Sequence, residues 1–213
     1  MDKISIVDYG VGNLLSVRQG LQACGAQVDI VSDYKELTKA SKVVLPGVGA
    51  FSAAMENLNN LKFTEVLKNL ANNNVPILGI CLGMQLLFDE SEEFGSHTGL
   101  GILAGKVKKL PVHSVENEKI KVPHIGWSPL IPTVKSDIFF KEANIWMQKQ
   151  EFAYFVHSYQ VIPSDTDIEI AHTLFGSHKV CSIVRSEKIF ACQFHPEKSA
   201  NFGLRVLKDF CNV

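Results

Sequence analysis

Four short apolar runs shape the first eighty residues: Ile4 to Val7, Val28 to Val31, Val43 to Leu45 and Val75 to Ile80. Amphipathic stretches lie between them, among them Leu14, Val17, Leu21 and Cys24 at helical spacing, closed by Gly25 as a C-cap. Near-continuous Val/Ile/Leu strands separated by helices are buried on both faces, which predicts a parallel sheet covered on both sides. The second half reads differently. Lys106–Leu110, Ala153–Tyr159, Asp167–Leu174, Val180–Arg185 and Ile189–Phe194 follow one another as strands with short turns, hence hairpins. A closing helix carries Leu204, Leu207, Phe210 and Cys211 on one face. The whole predicts an α/β fold with a mostly parallel central sheet, flanking helices and an antiparallel extension in the C-terminal half. No repeat, low-complexity tract or long linker divides residues 1–213, which read as a single domain.

With 46% hydrophobic residues the chain needs neither disulfide nor metal to form a core. A formal net charge of −1 supplies no positive field for nucleic acid. The strongest local bias, Lys106, Lys108, Lys109, Lys119 and Lys121, reads as a solvated face. Five cysteines, with no C-x-x-C among them, fit neither a zinc motif nor a secreted disulfide framework and imply reduced thiols. The N-terminus enters a strand pattern without an apolar signal core, and no run has membrane-spanning length. These features predict a soluble, cytoplasmic protein.

One cysteine stands apart. Gly79-Ile80-Cys81-Leu82-Gly83 joins the fourth apolar strand to the helical start Leu82–Phe88, which is the setting of a nucleophile elbow with a thiol in place of a hydroxyl. Glycines on either side let neighbouring elements approach a sharply turned residue. A helix start favours the reactive thiolate, and the Leu82 N–H points where an oxyanion would form. Cys24, Cys181, Cys192 and Cys211 lack glycine flanks and read as structural.

A thiol nucleophile needs an imidazole to take up its proton, and the imidazole needs an orienting group. His195 ends the apolar strand Ile189–Phe194 and is followed by Pro196 and Glu197. At extended spacing His195 and Glu197 project to the same side, so the carboxylate is placed to fix the imidazole tautomer. His172 and His178 lack metal-site spacing and read as structural; no metal or cofactor is expected.

The segments Gly79–Gln85 and Gln193–Ser199 resemble the motifs of the class I, triad-type glutamine amidotransferases, whose fold is flavodoxin-like. Further segments, Asp8–Leu14, Pro46–Phe51, Pro123–Trp127 and Phe155–Tyr159, are similar to the glutaminase subunits of imidazole glycerol phosphate synthases. The resemblance runs from residue 8 to residue 199. It implies that Cys81, His195 and Glu197 form the catalytic triad and that Val48 and Leu82 supply the oxyanion N–H groups. By the same resemblance, Gly47-Val48-Gly49 is a mobile oxyanion strand. Gly49, Gln85, Glu93, His157, Ser158 and Tyr159 hold L-glutamine, with Glu93 suited to its α-ammonium and His157–Tyr159 to its α-carboxylate. Asn13, Trp127 and Lys198 fall at positions that meet a HisF-type (β/α)₈-barrel cyclase, which receives the ammonia and uses it in histidine biosynthesis. One departure stands out: the family pattern continues after the tryptophan with asparagine, whereas Ser128-Pro129 follows Trp127 here. Two alternatives therefore accompany this reading, a paralogue feeding a sugar-modifying enzyme of surface-polysaccharide synthesis and a catalytically silent regulatory subunit.

Overall fold

A computed structural model describes residues 3–133 and 150–213. The N-terminal part runs β1 (Ile4–Val7), α1 (Leu14–Ala23), β2 (Val28–Val31), α2 (Tyr34–Leu37), β3 (Val43–Leu45), α3 (Phe51–Asn60) and α4 (Phe63–Asn72). It continues through β4 (Ile77–Ile80), α5 (Leu82–Leu86), β5 (Phe88–Ser91), β6 (His97–Thr98), β7 (Leu103–Lys109), β8 (His124–Pro129) and β9 (Ile131–Pro132). After the undescribed stretch come β10 (Phe152–His157), β11 (Tyr159–Pro163), β12 (Glu169–Phe175), β13 (His178–Ser186), β14 (Ile189–Cys192) and α6 (Ala200–Cys211).

The main sheet has the order β2-β1-β3-β4-β14-β13-β12-β9. Its first five strands are parallel, and β13, β12 and β9 extend it antiparallel. The parallel part follows the flavodoxin-like order, in which ligands bind at the carboxyl ends of the strands. Alternation along the strands divides the core in two. Ile4, Ile6, Val44, Leu78 and Ile80 face α1 and α6, whereas Val7, Val43, Leu45 and Ile77 face α3, α4 and a second sheet. That second sheet, β11-β7-β5-β6, and the pair β10-β8 lie beside the main one.

The helix after Cys81 is shorter than the sequence implies. It stops at Leu86, and Phe88 already starts β5, because Phe88 and its successors pair with β7. The hairpin expectation holds for β12–β13–β14 but not for β7, which pairs with β11, nor for β10, which pairs with β8. The run Ala153–Tyr159 is broken at Ser158, where the chain passes from one sheet to the other. On α6, Leu204 is exposed and the buried stripe is Phe202, Val206, Leu207, Phe210 and Cys211. Lys106 and Lys108 pair with Glu90 and Glu92 on a solvated face. No helix among the described residues is long and apolar enough to cross a membrane.

Candidate active site

Four loops at the carboxyl ends of β1, β3, β4 and β14 converge at one edge of the parallel sheet, and Cys81 stands among them. Its backbone has φ 55° and ψ −110°, a region that a residue with a Cβ adopts only under constraint. The flanking glycines supply that constraint. A Cβ at Gly79 would meet Leu87 Cδ1 at 2.8 Å, and one at Gly83 would overlap the Leu45 carbonyl oxygen. The elbow is thus wedged between the end of β3 and the body of α5. Because α5 has only five residues, its dipole is small; what it offers is the N–H groups of Leu82 and Gly83, which have no intrahelical acceptor.

His195 lies three residues beyond β14 in extended backbone, and Pro196–Lys198 then forms a 3₁₀ turn rather than continuing the strand. That turn brings Glu197 Oε1 to 2.8 Å from His195 Nδ1, with both side chains buried. The two side chains meet through a tight turn and not through the strand alternation that their spacing suggested. Glycines again allow the packing: a Cβ on Gly203 would overlap the Pro196 carbonyl, and Gly20 of α1 lies against Glu197. His195 Nε2 is buried with no partner at hydrogen-bonding distance and angle, yet Cys81 lies near enough to perturb the imidazole strongly. Burial pushes the imidazole pKa down, but the thiol and the Glu197 carboxylate together outweigh it and raise the value to about 9.

A pocket of about 330 Å³ opens over this pair. Val48, Gly49, Cys81, Leu82, Gln85, Glu93, His157, Ser158, Tyr159 and His195 line it, together with Pro123 and Val156. Glu93 Oε2 accepts the Phe51 N–H at 2.6 Å, which anchors the carboxylate at the start of α3. Gly49 has φ +100° and open space around it, while Gly47 is closely packed: a Cβ there would lie 2.5 Å from the Tyr9 hydroxyl oxygen. Rotational freedom beside Val48 therefore resides on the Gly49 side alone. Among the described residues no cluster of His, Cys, Asp and Glu is arranged to hold a metal ion.

Residues 5–212 match the family model "Glutamine amidotransferase class-I". The chain belongs to this family. Among its relatives is an imidazole glycerol phosphate synthase subunit HisH 1 of Legionella pneumophila (strain Lens), 41% identical over the full length of both chains. The HisH subunit of Aquifex aeolicus (strain VF5) is 44% identical, covering 96% of this chain and 94% of the relative. The fold also matches solved structures. The structure of PurLQS from Thermotoga maritima gives a TM-score of 0.73 at 18% identity, covering 100% of this chain and 99% of that one. The glutaminase domain of Trypanosoma brucei CTPS with bound acivicin gives 0.66 at 19%, covering 100% and 94%.

In this amidotransferase the remaining residues singled out by sequence lie outside the pocket. Asn13 caps α1, accepting the Ser16 N–H at 3.3 Å, and Lys198 is exposed beside the triad turn. Trp127 is 52% exposed, which rules out a core role. Ser128 is not on that outer surface: its hydroxyl bonds His124 Nε2 at 2.7 Å on the inner side of β8. Sequence reasoning assigned no role to Gln193, whose amide donates to Cys81 Sγ at 3.8 Å. The chain bends at Gln193 and Phe194, so strand alternation gave no signal for it. Ser199 was also passed over; it accepts the Tyr154 N–H and donates to the His195 carbonyl, tying β10 to the triad loop.

The raised imidazole value has a measurable consequence. A native pKa near 9, above an unfolded value of about 6.5, makes His195 stabilising below about pH 6.5, and that contribution fades as pH rises through about 9. Replacing His195 by Gln is expected to cost more stability near pH 6 than at about pH 10 in urea titrations. The pH dependence should shrink in Cys81→Ala, which removes one of the raising influences.

Proposed function

We propose that this chain is the glutaminase subunit of an imidazole glycerol phosphate synthase, hydrolysing L-glutamine through Cys81, His195 and Glu197 and delivering ammonia to a (β/α)₈-barrel cyclase. The observation that carries the chemistry is the buried His195–Glu197 pair at 2.8 Å, sharing one pocket with Cys81 on its strained elbow. Full-length relatives named as HisH subunits support the pathway and leave the polysaccharide and silent-subunit alternatives unfavoured. Since Ser128 points inward, its departure from the family pattern does not alter the outer face of β8 and gives no reason to expect a different partner.

In this reaction His195 takes up the Cys81 proton and the thiolate sulfur attacks the side-chain amide carbon of glutamine. The carbonyl π pair moves onto oxygen, where the N–H groups of Leu82 and Val48 receive it. Collapse of the tetrahedral intermediate expels ammonia with the proton returned from His195, leaving a glutamyl thioester. Water, deprotonated by His195, attacks the thioester, and glutamate leaves as the thiolate re-forms. Glu197 holds the tautomer and stabilises the imidazolium throughout. Glu93, Gln85 and the His157–Tyr159 segment position the substrate's α-groups.

The docking face follows from strand alternation. Across β8–β10 the pairs Ile125–Val156, Trp127–Tyr154 and Pro129–Phe152 share one side, and Ile125, Trp127, Val156 and Phe152 are exposed on it. Val156 also lines the pocket, so this apolar surface continues into the site. Purified chain should release glutamate slowly, and at least about a hundredfold faster with a HisF-type cyclase and its nucleotide acceptor present, a lowering of the activation barrier by roughly 2.7 kcal/mol. Full activity of the lone chain would refute coupling, and no stimulation by that cyclase would refute the assignment of partner.

A further inference from the structure

On the inner side of the β8–β10 pair, Ser128 and His124, two residues that the proposed chemistry does not use, join a line of hydrogen bonds that reaches the pocket. Here His124 faces His157 and Ser128 faces Ala153 across the strands. Ser128 Oγ lies 2.7 Å from His124 Nε2, His124 Nδ1 lies 3.2 Å from His157 Nε2, and His157 Nδ1 lies 2.8 Å from the Tyr159 carbonyl oxygen. The same carbonyl accepts from Gln85 Nε2 at 3.1 Å, Gln85 Nε2 donates again to Gln193 Oε1 at 3.0 Å, and Gln193 Nε2 donates to Cys81 Sγ.

Every role in this chain follows from one atom. A carbonyl oxygen only accepts, so His157 Nδ1 and Gln85 Nε2 must both be donors. His157 is buried, which holds its pKa down at about 3, so the ring is neutral and Nε2 accepts. His124 Nδ1 is then the donor, and its burial-lowered pKa leaves Nε2 as the acceptor for the Ser128 hydroxyl. On the other side, Gln85 spends both amide hydrogens and turns Oε1 away from them, while Gln193 is fixed with its nitrogen toward sulfur. Packing holds the rings in place: Phe155 stacks on His124 at 4.8 Å and Phe175 lies at 5.0 Å.

We propose that Ser128, His124 and His157 are positioning residues that fix the Tyr159 carbonyl, and through it the Gln85 and Gln193 amides beside Cys81, from the strand whose outer face bears Trp127. The idea rests on Cys81 being the glutamine-directed nucleophile. Loss of the Ser128 hydroxyl frees His124 to take the opposite tautomer, which sets two lone pairs against each other at His157 and loosens the whole line. A partner seated on Ile125 and Trp127 bears on the same strand, so the line also connects the outer surface to the pocket.

The test compares Ser128→Thr with Ser128→Val, a pair of similar shape differing by the hydroxyl, each unfolding at the same temperature as the parent. Alkylation of Cys81 is timed with the chloromethyl ketone analogue of glutamine and, separately, with iodoacetamide, which needs no pocket. Ser128→Val should react about tenfold more slowly with the analogue and at an unchanged rate with iodoacetamide, while Ser128→Thr should stay within about twofold of the parent. Equal analogue rates for the two variants overturn the relay and leave the glutaminase reading intact. A parent chain that the analogue does not label overturns both. Ring-nitrogen NMR of the unsubstituted protein gives an answer that needs no variant: Nδ1–H at both His124 and His157 supports the relay, and Nε2–H at His157 overturns it.

Discussion

Alanine at position 81 is expected to lower glutamine hydrolysis by at least about a thousandfold, to the level of the uncatalysed background in a glutamate-release assay. No other thiol is placed to substitute. Cys192, at the end of β14, is buried with its Sγ 3.5 Å from the Phe194 carbonyl oxygen, and burial drives its pKa well up, as it does for Cys181. Glycine at the same position should abolish activity equally but differ in stability. The backbone at φ 55°, ψ −110° is costly for any residue with a Cβ and inexpensive for glycine. Cys81→Gly should therefore unfold at higher denaturant than Cys81→Ala, by about 1–2 kcal/mol. Equal stabilities would mean that the elbow is not strained. The ordering matters for the mechanism, because it ties the unfavourable backbone to the residue that carries the reaction and to no neighbour.

Local signals made much of this legible in the sequence. β1, β2 and β3 have the predicted bounds because each is a short Val/Ile/Leu-rich run, broken only by Ser5 and Asp29, whose neighbours are turn or helix formers. The elbow was visible because glycine–x–cysteine–x–glycine at a strand end is a local pattern, and His195 with Glu197 because the two are two residues apart. What stayed hidden depends on pairing between distant segments. Nothing near Phe88 announces that it leaves the helix to join β7, and nothing near Tyr159 announces that the chain changes sheets at Ser158. The relay through His124 was equally invisible, since His124 and His157 lie 33 residues apart, and strand register alone sets one opposite the other. Gly47 shows the limit of reasoning from residue type: glycine suggested freedom, and the Tyr9 hydroxyl shows that close packing is its reason.

Gly83 is the position where the largest loss of stability is expected from the smallest chemical change. A methyl group there would overlap the Leu45 carbonyl oxygen, which is backbone at the end of a buried central strand and has no rotamer by which to withdraw. Relief requires α5 to move away from β3, and α5 carries Leu82, Met84 and Leu86, all buried in the core. Overpacking against a side chain costs about 1–3 kcal/mol; against fixed backbone it should reach about 4 kcal/mol or more, among the uncommon values for a single substitution. For a chain of this size that corresponds to a fall of roughly 10 °C in melting temperature. Gly49→Ala serves as the contrast: open space surrounds it, its cost is that of a positive φ, and its effect should fall on glutaminase rate more than on melting. A Gly83→Ala protein that melts like the parent would show that helix and strand are not in contact there. It would also remove the steric reason for Cys81 to hold its strained backbone, since the same contact wedges the elbow.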